Sequence, residues 1–275
     1  MKPFFIQLEA KRIHVPNSRW YEIGDYNKTK LAYPSVTSVL QVKSKQGLEN
    51  WKTQIAKSGI DPKELGQKMM DEGSAVHDAA EQLMSGSKIE YSDQYDFWGE
   101  WLPICRFVEA YHELKINPIL IEQTIWSNRM QVAGTLDLFC TLTLPKATKS
   151  CFAIVDLKRS ASAYTDYQWQ ISAYKDMLLE MISKPDTYSK RLLTYLKDKM
   201  EVTEDGLIQN IVDTKPAILL LNVATKKGWR LTEIEDYKEK LKGFEACNTL
   251  FRIEHPNLDY MRETYPTELS LNLNI

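Results

Sequence analysis

The sequence predicts an α/β fold in which a central mixed β-sheet is flanked by helices and preceded by a mostly helical N-terminal part. Helical periodicity dominates up to about residue 114, and strand-like apolar segments then alternate with helical ones. We therefore expect one domain over residues 1–275, with the mostly helical part at 1–115, the core at 116–255 and a C-terminal tail at 256–275.

The N-terminal part divides into four segments. The first 30 residues mix aromatic and charged side chains, which fits short strands or a turn-rich leader. Pro34 and Ser35 precede an apolar segment, as at a helix start, and helical spacing then covers residues 47–58. A strongly helical pattern runs from Pro62 to Met84, and a further helix at 98–114 is bent or begins at Pro103.

The core segments follow as three strands, a helix, two strands and a closing helix. The three strands are Pro118–Ser127, Val132–Leu144 and Cys151–Lys158, and the short turn between the last two predicts a hairpin. An amphipathic helix covers Asp166–Ile182. Residues 187–210 look polar and irregular, like an insertion. Two strands then meet around Gly228, and a helix follows at 236–253.

The composition limits the class of protein and its surroundings. The formal net charge is −2, so an anionic partner must be held by local basic patches. The four cysteines form no C-x-x-C pair, which argues against a zinc ribbon or an iron–sulfur cluster and favours free thiols in a reducing compartment. The N-terminus lacks the apolar segment of a signal peptide, and no apolar run reaches the ~20 residues of a membrane span. We expect a cytoplasmic protein with no membrane contact.

The segment AIVDLKRS ends a strand with opposite charges on one face. Side chains alternate along a strand, so Asp156 and Lys158 emerge on the same side of the sheet. A carboxylate there can hold Mg²⁺, and a lysine beside it can orient a water or stabilise charge on a phosphate. The alternative is a surface ion pair.

A second acid lies in the preceding strand, within AGTLDLF. Asp137 stands between two leucines, where an unpaired carboxylate would be costly. Antiparallel pairing with the next strand would bring Asp137 beside Asp156, and a cation would relieve the repulsion between them. Gly134 would allow a close backbone approach. The alternative is that Asp137 faces solvent.

Two helices carry polar residues at helical spacing. Gly73, His77 and Glu81 share a face, where the glycine would let the helix approach the sheet and His77 could reach a metal, Mn²⁺ more readily than Mg²⁺. Gln170 and Tyr174 share a face of the helix after the third strand. Both sets also fit ordinary polar positions on helices.

Taken in order, G-x-x-x-H, G-T-L-D, D-L-K and Q-x-x-x-Y resemble the motifs of the PD-(D/E)XK nucleases, in the branch of the RecB nuclease domain and the phage-type exonucleases. The segment YPSVTSVL, followed by Trp51, is similar to the mitochondrial genome maintenance exonucleases and their phage relatives. The resemblance covers residues 33–174 and is looser beyond them. It implies a restriction-endonuclease-like core and metal-dependent hydrolysis of DNA.

The resemblance also implies a role for each motif residue. The ligands of one or two Mg²⁺ or Mn²⁺ ions would be His77, Asp137, Asp156 and the carbonyl of Leu157. Lys158 would be the catalytic lysine beside the attacking water, and Gln170 and Tyr174 would support the site or contact DNA. Glu81 and Glu122 would be further carboxylates, behind the ligands or at a second metal. The cysteines that hold iron–sulfur clusters in some relatives have no counterpart here.

Local basic and aromatic residues are candidate DNA contacts: Trp51, Lys146, Lys149, Arg159 and Trp169. Stacking on aromatic side chains beside a basic groove suits single-stranded DNA. By analogy with related exonucleases, the helical part would restrict entry to a strand end. We therefore expect an exonuclease on single-stranded or end-containing DNA, in repair, recombination or phage DNA processing. The alternatives are a catalytically silent DNA-binding or assembly protein that keeps the fold, and an unrelated α/β enzyme.

Overall fold

The computed structural model describes residues 8, 10–15, 18–24, 31–43 and 46–256, and these form an α/β arrangement around a five-stranded mixed sheet. The predicted tail at 256–275 lies outside the described residues apart from its first member. Within the described part of the chain, no helix combines the length and the apolar character needed to cross a bilayer.

The chain begins with a small antiparallel sheet of three strands, β1 (Ala10–Val15), β2 (Ser18–Ile23) and β3 (Ala32–Pro34). Of the two possibilities for the first 30 residues, short strands are therefore correct. The aromatic side chains of these strands bury one face of the small sheet against the main core, as Tyr21 shows at 1% exposure.

Helices occupy most of the next segment, as predicted. They are α1 (Val36–Val39), a 3-10 turn (Leu40–Val42), α2 (Gln46–Lys57), α3 (Pro62–Met84), a π-helical turn (Phe97–Trp101) and α4 (Leu102–Glu113). The side chain of Ser35 caps α1 by accepting the Ser38 N–H at 2.9 Å. Asp61 caps α3 in the same way, with proline at its first turn.

The main sheet contains β4 (Asn117–Ser127), β5 (Val132–Thr143), β6 (Ser150–Lys158), β7 (Lys215–Leu220) and β8 (Arg230–Glu233), in that order across the sheet. All neighbouring pairs are antiparallel except β6 and β7, which are parallel. A parallel pair requires a long crossover. The crossover is formed by α5 (Thr165–Ser183), α6 (Lys190–Met200) and α7 (Glu204–Asp213).

The prediction that residues 187–210 are irregular is wrong, because α6 and α7 fill most of this segment. Leu192 and Leu196 lie four residues apart on α6, and Leu207 and Ile211 repeat that spacing on α7. All four side chains are fully buried. Each helix is short and carries only a narrow apolar stripe, so the many charged residues on its outer face concealed the helical pattern.

The two faces of the main sheet bury separate cores. One core joins the sheet to α5, to the closing helix α8 (Tyr237–Glu254) and to the small N-terminal sheet. The other joins it to α3 and α4. Helices therefore approach the sheet from both sides, and α3 and α5 each bring polar side chains to β5 and β6.

Candidate metal centre and active site

Three neighbouring strands each place a carboxylate in the same row of the sheet. The antiparallel register sets Glu122 of β4 opposite Asp137 of β5. The last paired residues of β5 and β6 are Leu138 and Val155. The next residues along, Asp137 and Asp156, therefore lie side by side. The sequence-based expectation that Asp137 and Asp156 lie side by side is therefore met. Three acids in one row repel each other unless positive charge lies between them.

Glu122 has an unusual backbone conformation for a residue within a strand. Its φ is +47°, in the left-handed region that non-glycine residues seldom adopt. Such a conformation costs on the order of 1–3 kcal/mol and persists where the surrounding structure enforces it, which is frequent at functional sites. Nothing in the sequence indicated this conformation, and the sequence left undecided which face of the strand carries the Glu122 side chain.

His77 reaches this row from helix α3. Its Nδ1 lies 3.6 Å from Asp137 Oδ2 and 3.9 Å from Glu122 Oε1. One ligand atom from each of the three residues falls within 4.8 Å of the others. Ligands bound to one Mg²⁺ at about 2.1 Å lie roughly 3–4 Å apart, so this spacing fits a single cation. His77, Glu122 and Asp137 could therefore hold a divalent metal ion, which makes Glu122 a candidate ligand beside the two that were expected.

The charges in this cluster are strongly coupled. Burial lowers the pKa of His77, but Asp137 and Glu122 outweigh that effect and raise the pKa to about 9. Burial raises the pKa of Asp137, opposed by His77 and Lys158. A protonated His77 thus offsets part of the negative charge, and a metal ion bound there would displace that proton.

Asp156 and Lys158 form a buried ion pair at the end of β6. Asp156 is 1% exposed, and its Oδ2 lies 2.7 Å from Lys158 Nζ without an aligned hydrogen bond to any described residue. Burial raises the pKa of Asp156 to about 6, although Lys158 opposes the shift. Burial also lowers the pKa of Lys158, yet Asp156 and Asp137 outweigh burial and hold the pKa above its usual value. The two acids therefore favour the charged form of Lys158. The predicted alternative of an exposed ion pair does not describe this arrangement.

Gln170 connects helix α5 to the acidic row. Its Nε2 donates to Asp156 Oδ1 at 3.2 Å and lies 3.2 Å from the hydroxyl of Tyr174. Tyr174 is 3% exposed and packs against Gly134, where an added Cβ would fall 2.6 Å from the ring. The close approach expected at Gly134 is therefore real, and its partner is Tyr174. Tyr174 lies buried behind Gln170, so it does not face a DNA strand. This position agrees with the other role expected for Tyr174, which is to support the site.

Two expectations about helix α3 are corrected. A Cβ at Gly73 would meet nothing within 4 Å, so this glycine is not what lets the helix approach the sheet. Glu81 is exposed, one turn beyond His77, and is not a member of the metal-competent group. The helical spacing that linked Glu81 to His77 is correct, because both residues lie on α3.

Arg159 and Trp169, both expected to contact DNA, make contacts within the protein. The guanidinium of Arg159 is ion-paired with Glu72, and both side chains are almost fully buried. Trp169 packs on Gly243 of α8, with Lys43 above its ring at 4.8 Å. Both residues therefore hold elements together. The buried Glu72 had no signal in the sequence, because its partner follows it by 87 positions along the chain.

The remaining basic and aromatic candidates lie apart from the acidic row. Lys146 and Lys149 are exposed in the β5–β6 turn. With about 3.3 Å per strand residue, this turn is roughly 20 Å or more from Asp137. These lysines could therefore contact only DNA that extends well beyond the acidic row, and their binding of DNA stays a prediction. Trp51 is partly exposed on α2.

No protein-family model matches the chain, and no curated protein is significantly similar to it.

Proposed function

We propose that this chain is a metal-dependent deoxyribonuclease of the PD-(D/E)XK type. The observation that carries the proposal is the row of Asp137 and Asp156, with Lys158 on the same strand and His77 above them. Acids, an imidazole and a buried ammonium together provide ligands for a hard cation and a fixed positive charge for a phosphate. The central mixed sheet with helices on both faces is compatible with this fold class.

The metal ion, Lys158 and Gln170 would each have a different role in the reaction. A bound Mg²⁺ or Mn²⁺ would lower the pKa of a ligated water and neutralise charge on the scissile phosphate. Lys158, which keeps its proton, would donate a hydrogen bond to the attacking water and stabilise the negative charge that grows on the phosphate oxygens. Gln170 holds Asp156 by one carboxylate oxygen and so leaves the other facing Lys158.

Helix α3 favours a strand end as the substrate. It brings His77 over the acidic row and covers that side of the sheet. A single strand or a DNA end can enter beside such a helix more easily than an uninterrupted duplex. We therefore propose exonuclease action on single-stranded or end-containing DNA.

The test is digestion of linear and circular DNA, each single- and double-stranded, with Mg²⁺ or Mn²⁺ and with EDTA. The account predicts metal-dependent loss of end-labelled linear substrate, no loss of circular DNA, and no activity in an Asp156→Ala, Lys158→Ala double variant. Cleavage of circular DNA would refute the exonuclease assignment only. Metal-dependent DNA binding without any cleavage would instead favour the non-catalytic alternative.

A further inference from the structure

A cavity of about 480 Å³ opens where β6 and β7 end, and its lining includes Arg159 and Asn222, which follow these two strands. Its lining includes one tryptophan, one amide and several charged groups: Lys68, Glu72, Asp96, Trp98, Arg106, Arg159 and Asn222. The three cations outnumber the two acids by one, in a chain whose overall formal charge is −2. The cavity is thus locally suited to an anion.

One residue joins the cavity to the candidate active site. The N–H of Leu221 donates to the Lys158 carbonyl at 2.9 Å, and the Leu221 carbonyl accepts from Arg106 Nη1 at 3.1 Å. Arg159, in the cavity wall, directly follows Lys158 in the chain, about 3.8 Å away between Cα atoms. The end of β6 and the Leu221 backbone thus link Lys158 to the cavity wall.

Arg106 is the cation that is available to a ligand. Its Nη1 is fixed by the Leu221 carbonyl and by Asn222 Oδ1 at 3.0 Å. Within the described residues Arg106 forms no ion pair, whereas Lys68 and Arg159 both contact Glu72. A guanidinium held in one orientation without an acid is suited to bind a phosphate.

Gly228 makes room for this arginine. Its φ is +70°, and a Cβ there would fall 2.1 Å from Arg106 Nε. The loop between β7 and β8 therefore supports the guanidinium directly.

Trp98 supplies a flat apolar surface at the mouth of the same cavity. It is 74% exposed, the highest exposure among the large hydrophobic side chains described. Phe97 meets its ring edge-on at 5.1 Å between centroids, which limits how the indole can turn. The residue belongs to a π-helical turn, a feature that is frequent at functional sites.

We propose that this cavity binds one nucleotide of a single DNA strand, with its base stacked on Trp98 and its phosphate on Arg106. The proposal rests on the proposed nuclease function, because it takes the strand at Lys158 to be the one that continues into the cavity. An exposed aromatic ring beside a fixed guanidinium matches the combination of stacking and charge that single-stranded DNA requires. A base in a duplex is stacked on its neighbours and could not reach Trp98, so the cavity selects unpaired strands.

The test is binding of a short fluorescein-labelled oligothymidylate in EDTA, which prevents cleavage. We expect Trp98→Ala and Arg106→Gln each to weaken binding on the order of tenfold, and Trp98→Phe to recover most of the affinity. The matched controls on α8, Ile253→Ala at 70% exposure and Lys242→Ala, should bind as the wild type does. Thermal melting of each variant checks that the fold is kept.

The outcomes separate this proposal from the nuclease function. Wild-type affinity in both Trp98→Ala and Arg106→Gln overturns the nucleotide cavity, whether or not the protein cleaves DNA. Loss of affinity in these variants, in a protein that cleaves nothing, supports the cavity and overturns the nuclease. A wild-type protein that does not bind the oligonucleotide overturns the cavity.

Discussion

The backbone N–H of Leu157 donates a hydrogen bond of 2.8 Å to Oδ2 of Asp137. The bond ties the acid of β5 to the strand that carries Asp156 and Lys158, just beyond the last paired residues of the two strands. Asp137 is thereby positioned by the protein itself. In a β-strand the N–H and C=O of one residue point to the same side, so the Leu157 carbonyl faces the same edge, where the resemblance expects a metal ligand.

Substitution of Gly134 tests the support of the site from α5. In Gly134→Ala the new Cβ would displace Tyr174, and with it Gln170, which holds Asp156. We expect a loss of about 1–3 kcal/mol in the free energy of unfolding, together with lower nuclease activity. Urea unfolding and initial cleavage rates measure the two effects.

The matched control is Gly73→Ala, on helix α3, where a Cβ meets nothing within 4 Å. Removing a glycine from a helix interior should stabilise the protein by about 0.5–1 kcal/mol. Equal effects of the two substitutions would contradict the role assigned to Gly134.

Metal binding should raise the melting temperature through the group of His77, Glu122 and Asp137. A ligand at one hundred times its Kd stabilises a protein by about 2.7 kcal/mol. We expect Mn²⁺ to raise the melting temperature of the wild type and of Glu81→Gln, whose side chain is exposed outside the group. The increase should be absent in Asp137→Asn and reduced in Glu122→Gln. An unchanged increase in Asp137→Asn would show that the metal binds elsewhere.

Arg159 should affect stability more than DNA affinity. Removing Arg159 leaves the buried Glu72 with only the more distant Lys68, at 3.5 Å, and loss of one member of a buried ion pair costs on the order of 3 kcal/mol. We therefore expect Arg159→Ala to lower the free energy of unfolding by about that amount. Arg159→Met combined with Glu72→Gln should recover a large part of the lost free energy of unfolding. A double variant as unstable as Arg159→Ala would mean that loss of the ion pair does not cause the destabilisation.

Lys175, which lies away from the metal group, should make the free energy of unfolding depend on pH. Its Nζ donates to the carbonyls of Val212 and Thr214, both at 2.8 Å. Burial, with a smaller contribution from Lys215, lowers its pKa from 10.5 to about 8. Between these values the unfolded chain binds more protons than the folded protein, so the free energy of unfolding rises with pH across that window.

The measurement is the unfolding free energy of the wild type minus that of Lys175→Met, from about pH 7 to about pH 10.5. The difference should grow by on the order of 1–3 kcal/mol as the pH rises. A difference that shrinks over the same range would show that the folded protein prefers the charged lysine.

Elements with long, regular patterns could be predicted from the sequence. The strands β4, β5 and β6 and the helices α3 and α5 begin and end within one or two residues of their predicted limits. The neighbouring positions of Asp137 and Asp156 followed from the hairpin between β5 and β6, because the turn fixes the register.

What the sequence did not reveal depends on contacts between distant segments. The role of Glu122 needs both the register of β4 and a left-handed backbone, and neither has a local signal. Arg159 looks like a free cation until Glu72 is brought to it by helix α3. The cavity at Trp98 joins segments more than a hundred residues apart, so composition and spacing could not indicate it.

The most direct measurement of the central claim is the single-turnover cleavage rate of an end-labelled single strand as Mn²⁺ is added, with DNA binding recorded in parallel. For the wild type we expect no cleavage without metal and a cleavage rate that saturates as metal is added. In Asp156→Asn and Lys158→Ala we expect rates lower by on the order of 10²–10³, with DNA still bound. Cleavage by either variant at the wild-type rate, or metal-independent cleavage by the wild type, would contradict the central claim.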